Sequence, residues 1–152
     1  MNSFDEIILR KKLIQAIWAV AYAIAFVGMV LLYKPAHAMT VWNDNGGEVL
    51  RYALNAKRLT KYKQTVRFDG VCASACTLYL SVPALQQCAT RRAVFKFHAP
   101  YSRNNEAEPA ALNYMMKSYP AWVRRWIAAN GGLTRRTITM RHSVISKHMR
   151  SC

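Results

Sequence analysis

A chain of 152 residues that is 53% hydrophobic has the apolar material for a packed core and the length for one domain, which excludes a disordered protein. Its 22 Lys and Arg against 7 Asp and Glu give a formal net charge of +15, which biases its partners toward anions and is silent about its fold.

The first 38 residues have the order of a targeting segment. Arg10, Lys11 and Lys12 precede an apolar stretch from Leu13 to Leu32, and "YKPAHA" follows, with Ala36 and Ala38 in a small-x-small cleavage pattern. The apolar stretch is also just long enough to cross a bilayer. A cleaved signal is the preferred reading, and a retained inner-membrane anchor at residues 13–32 is the alternative. Either way residues 39–152 form the exported domain, in the periplasm, because the positive flank stays on the cytoplasmic side.

In the exported part, "MTVWN" (39–43) reads as a strand ending at the turn "DNGG". Val49, Leu50, Ala53, Leu54 and Leu59 have helical spacing, so a helix is expected over 48–62. "QTVRFDG" (64–70) alternates like a strand, with Asp69-Gly70 as its stop. After Ser74, "ACTLYLSV" reads as a buried helix closed by Pro83. "AVFKF" (93–97) is a third strand, running into His98-Ala99-Pro100. A polar loop covers 102–109. The rest reads as helices broken at Tyr119-Pro120 and at "ANGG" (129–132), with Thr134 as the cap of the last. Trp122 and Trp126 are four apart and so share one helix face, expected to be core, with the arginines between and beyond them on the solvated side.

Strand, helix, strand, helix, strand, helices is the order of an α/β domain with a parallel sheet and right-handed crossovers, followed by C-terminal helices. In such sheets, sites form beyond the carboxyl ends of the strands. Three features fall there: Gly46-Gly47 after the first strand, Ser74 after the second and His98 after the third. A serine hydroxyl needs a base to become a nucleophile, and histidine suits that task. A developing oxyanion needs fixed N–H donors, which Gly47 (or Gly46) and Ala75 could supply. Taken singly, each has a plain structural role: Ser74 as a helix N-cap, His98 as a hydrogen-bonded strand end, Gly-Gly as a turn. Joint placement at one sheet rim is what points to acyl transfer.

Cys72, Cys76, Cys88 and Cys152 all lie in the exported part, and an oxidising compartment favours two disulfides among three pairings. Cys72 and Cys76 could bond each other or pin the Ser74 segment to Cys88 and Cys152. A zinc site would bring a second close pair of ligands, and His142 and His148 lie six apart with no cysteine beside them. No metal and no other cofactor is expected.

"NDNGGEVLRYAL", "GVCASACTLYL" and "FKFHAP" together resemble the proteolytic subunit of the Clp protease and its crotonase-fold relatives. The flanked serine "C-x-S-A-C-T" and the tail "YPAWVRRWIAANGGLT" are similar to a group of uncharacterised exported bacterial proteins of Clp-protease-like type. The resemblance implies a ββα-type parallel sheet, Ser74 and His98 as the catalytic pair, and Gly47 and Ala75 at the oxyanion hole. It also implies oligomeric assembly, so a homo-oligomer is expected. The Clp subunit completes its triad with an aspartate well after the histidine. Here the only acids after His98 are Glu106 and Glu108, and the expected stretch is basic. Asn130, a backbone carbonyl or nothing at all is left to orient the imidazole.

Two functions follow. One is an exported serine hydrolase acting on a peptide or ester through a Ser-His dyad. The other is a non-catalytic envelope protein on the same scaffold, binding an anionic lipid, an anionic envelope polymer or a protein. Nucleic acid is not expected as a partner of an exported chain.

Overall fold

The computed structural model describes residues 3–32, 38–102, 106 and 108–152. The chain divides into two units, Met1–Pro35 and Ala36–Cys152.

The first unit is one α-helix, α1 (Ser3–Leu32). Its segment Arg10–Gly28 has a mean hydropathy of 1.3, so it is long and apolar enough to cross a membrane. Ile14, Ile17, Trp18, Val20, Ile24 and Phe26 are all exposed. The expected cleavage residue Ala36 lies outside the described residues.

The second unit is an α/β domain. In chain order it contains β1 (Ala38–Asp44), α2 (Val49–Lys61), β2 (Thr65–Ala73), a 3₁₀ helix (Ser74–Ser81), a short 3₁₀ turn (Ala84–Gln86), β3 (Gln87–Ala89) and β4 (Val94–Phe97). Then come α3 (Pro109–Ser118), α4 (Ala121–Ala129), β5 (Ile138–Met140) and α5 (His142–Ile145). The sheet order is β1-β2-β4-β5, with β3 also against β2. β1, β3 and β4 all run parallel to β2, and only β5 is antiparallel. β3 takes the first half of β2 (Val66↔Gln87) and β4 the second (Val71↔Val94).

Alternation explains the core. Val66 and Phe68 of β2 and Phe95 and Phe97 of β4 point inward and are fully buried. Phe68 meets Phe95 edge-on at 4.9 Å between ring centroids, and Phe97 meets Tyr119 edge-on at 5.7 Å. Val123 and Ile127 of α4 close over them, with Trp122 and Trp126 packed at the margin as their shared face implies.

Four expectations are corrected. β2 does not stop at Asp69-Gly70 but continues to Ala73. Gly70 is the contact point of a β1–β2 irregularity at Val41–Asn43, where an added Cβ would lie 1.5 Å from the Trp42 carbonyl oxygen. The buried segment after β2 is a 3₁₀ helix of eight residues, longer than such helices usually run. Residues 138–140, read as helical, form β5, whose Ile138 and Met140 turn inward while Thr139 faces out. Thr134 accepts from the Arg136 N–H at 3.2 Å in the irregular stretch before β5 and caps no helix. β3 is an addition that its three residues gave no periodicity to reveal.

Cys72 bonds Cys76, and Cys88 bonds Cys152. The second ties β3 to the C-terminal segment, where Ser151 also bridges Ala89.

Candidate active site

The carboxyl ends of β1, β2 and β4 lie side by side, so the segments that follow them meet. A cavity of about 620 Å³ opens there, lined by Gly46, Gly47, Ser74, His98, Tyr101 and Glu108 among others. Four of the five residues expected at the site therefore reach one cavity. The fifth, Ala75, is wholly buried directly behind Ser74.

The turn after β1 is built by Asp44. One carboxylate oxygen accepts from the Gly46 N–H at 2.8 Å and from the Tyr52 hydroxyl at 2.6 Å. Burial, and then the hydrogen bond to Asp44, pushes the Tyr52 phenol up to about 12. The same bond sets the face that α2 turns inward. Tyr52, Ala53, Ala56 and Leu59 are buried, whereas Leu50 and Leu54 are exposed. Gly46 has φ +82, and a Cβ on it would lie 2.5 Å from the Ala73 carbonyl oxygen and 2.8 Å from the Ala75 nitrogen. The turn and the serine segment thus touch backbone to backbone, which only glycine permits. Because Gly46 N–H is committed to Asp44, Gly47 is the residue of the pair whose N–H makes no hydrogen bond among the described residues.

Ser74 joins the end of β2 to the 3₁₀ helix with φ 55, a left-handed conformation unusual for a residue with a side chain. It is the first helical residue, after Ala73 as the N-cap, and no side-chain hydrogen bond caps the helix start. The N-cap role is therefore set aside. Ala75, one residue on, carries one of the N–H groups that a helix start leaves without intrahelical partners. The Ser74 carbonyl is held from the other side: the Thr77 hydroxyl donates to it at 2.6 Å. Thr77 has one proton to give, so Tyr119, 2.6 Å from the same hydroxyl, is the donor to Thr77. Burial pushes the Tyr119 phenol well above its ordinary value.

His98 follows β4, half-buried, with its ring 5.5 Å from that of Tyr101. Its Nδ1 lies 2.9 Å from the Ala99 carbonyl oxygen. A carbonyl only accepts, so Nδ1 carries the proton and Nε2 of the neutral ring is the free acceptor. Ala99 is itself anchored, donating to the Thr134 carbonyl at 2.7 Å. Asn130 spends its amide on the Trp126 carbonyl and does not orient the histidine. Among the described residues, no hydrogen bond joins the Ser74 hydroxyl to His98 and no carboxylate is bonded to the imidazole. Glu108 lines the same cavity and continues into an apolar groove of about 410 Å³ between α2 and α3, lined by Val49, Leu50, Leu54, Ala111 and Tyr114.

No group of three metal-ligating side chains occurs among the described residues. Of the supporting residues, Asp44 had a legible signal, since an aspartate two before a glycine commonly bonds its backbone. Thr77, three residues after Ser74, fits a local side-chain-to-backbone pattern. Nothing in the sequence announces Tyr119.

No family model matches the chain, and no curated protein matches it. Among solved structures, it is similar to a ClpP1 mutant from Listeria monocytogenes at 18% identity and a TM-score of 0.44. That match covers 74% of this chain and 70% of the other. The mixed, mostly parallel sheet stands on its own strand order.

Proposed function

We propose that residues 39–152 form an exported serine hydrolase of Clp-protease-like type, acting on a peptide or ester by acyl transfer through Ser74 and His98. In this reading His98 Nε2 takes the Ser74 proton while Oγ attacks the acyl carbon. The N–H groups of Gly47 and Ala75 receive the charge that develops on the carbonyl oxygen. The imidazolium then protonates the leaving amine or alcohol, and water, deprotonated by the same nitrogen, releases the acid and returns Ser74. The observation that carries the reading is the convergence of Ser74, His98 and Gly47 on one cavity, with the serine in a left-handed turn.

The Ala99 carbonyl fills one of the two roles of a triad acid. It fixes the tautomer but brings no full charge to steady the imidazolium. Turnover is therefore expected to be slow, while a reactive phosphonate still labels the serine. Treating the oxidised exported domain with a fluorophosphonate probe tests this. Labelling at Ser74 that disappears in Ser74→Ala, and in a folded His98→Ala, supports the hydrolase. Labelling that survives Ser74→Ala removes it.

A second reading is favoured by the missing carboxylate and by the exposed Arg124, Arg125, Arg135, Arg136 and Arg141: a non-catalytic protein that binds an anionic envelope component. A folded, oxidised, unlabelled sample that binds anionic vesicles in a salt-sensitive way selects it.

A further inference from the structure

We infer that the Cys72–Cys76 disulfide is a positioning device that holds Ser74 in its left-handed conformation and so presents its side chain to the cavity. The catalytic half of this inference rests on the hydrolase reading; the conformational half does not.

Among the described residues, two with side chains have positive φ, Lys63 and Ser74. Lys63 has an ordinary explanation. It follows the end of α2, where Gln64 N–H reaches back to the Leu59 carbonyl at 2.9 Å, a common way for a helix to close. Ser74 closes no helix. It sits between a strand and a helix start, and its conformation needs another cause.

The bond supplies one. Cys72 and Ala73 belong to β2, and Ala73 is extended, with φ −115 and ψ 154. From Ser74 the chain is helical. Four residue steps of extended chain would carry Cys76 about 13 Å from Cys72. Their Cα atoms are instead 5.4 Å apart. The strand is held extended by its pairing of Cys72 with Asp44 and with Phe95, so the reversal has to fall at Ser74. Without the bond, nothing covalent prevents Ser74 from relaxing to an ordinary negative φ and turning its hydroxyl away.

Burial separates a clamp from a sensor. Both half-cystines are fully buried, out of reach of a thiol in the folded protein. The device is therefore permanent in the oxidised domain rather than a switch that answers to redox state.

The test compares two double variants of the oxidised exported domain, Cys72→Ala/Cys76→Ala and Cys88→Ala/Cys152→Ala. Fluorophosphonate labelling at Ser74 is expected to slow about tenfold or more in the first, the size expected from ~1.4 kcal/mol of left-handed strain no longer held. It should stay within twofold of the unmodified protein in the second, measured where each is folded. A fall of equal size in both variants, or none in the first, overturns the inference. With a turnover substrate, kcat should fall while KM holds, a split that general destabilisation does not give. A crystal structure of the first variant reads φ at Ser74 directly, whether or not the protein is an enzyme. A negative φ supports the clamp, and a value still near 55 overturns it. Should the alanine pair not fold, Cys72→Ser/Cys76→Ser, which keeps nearly the same side-chain volume and leaves the Cys88–Cys152 bond in place, serves the same comparison. Absence of labelling in the unmodified domain defeats the hydrolase reading and the catalytic half with it, leaving the φ measurement to decide the conformational half.

Discussion

Asp44 reaches two residues past itself to hold the Gly46 N–H at 2.8 Å, and with the same oxygen it takes the Tyr52 hydroxyl at 2.6 Å. The end of β1, the glycine turn and the inward face of α2 are thus fixed by one atom. Asp44→Ala leaves a phenol that is only 6% exposed without its acceptor. It is expected to cost about 1–3 kcal/mol in chemical unfolding, against about 1 kcal/mol for Tyr52→Phe, which removes donor and demand together. Probe labelling at Ser74 should fall in Asp44→Ala and be nearly unchanged in Tyr52→Phe.

Gly46→Ala should be the most damaging single glycine change in the domain's turns. The new methyl group would lie 2.5 Å from the Ala73 carbonyl oxygen and would require a left-handed residue as well. A loss of about 2 kcal/mol or more is expected, together with loss of labelling. Gly131→Ala is the control: its φ is also positive, but nothing lies within 4 Å of the added atom. Strain alone, about 1 kcal/mol, should appear there, with labelling intact.

The two disulfides differ in the length of chain they close, with sequence separations of 4 and 64. Loop-closure entropy predicts about 2 kcal/mol from the short bridge and about 4 kcal/mol from the long one. Denaturant unfolding of the two alanine pairs should show that order. A short bridge that proves as stabilising as the long one would mean that native contacts, not chain entropy, set its contribution.

Acid should unfold the domain partly through Asp69. Hydrogen bonds from Arg92 and Thr90, with Arg67 nearby, hold its carboxyl down to about 2. A folded-state value below the unfolded one means that the ionised form is the stabilised one. Its contribution is complete above the unfolded value near 4 and is lost as pH falls through that value toward 2. Stability measured from pH 5 to pH 2 should fall less steeply in Asp69→Asn. Identical slopes would exclude Asp69 as a source.

The residues that line the cavity were easier to read from the sequence than the short strands around it. Glycine pair, serine and histidine each stand where an alternating apolar run ends, and that is local information. β3 and β5 were illegible because three residues carry no period of their own. β3 exists through its pairing with Val66, Arg67 and Phe68, and β5 through Phe95, Lys96 and Phe97. Gly70 misled for a related reason: a glycine inside a strand looks like a stop until the neighbouring strand that needs the space is seen. The Cys88–Cys152 pairing was equally a matter of partners distant in sequence.

β2 is the partner of β1, β3 and β4, and none of these pairings is a hairpin. Every one waits for the intervening chain to be brought round, a topology that folds more slowly than one built on local contacts. Until then the apolar side of β2 has nothing to cover it, and a nascent chain spends its most vulnerable interval with that surface open to other chains. The cavity at the ends of β1, β2 and β4 is therefore complete only once β2 has gained both of those neighbours.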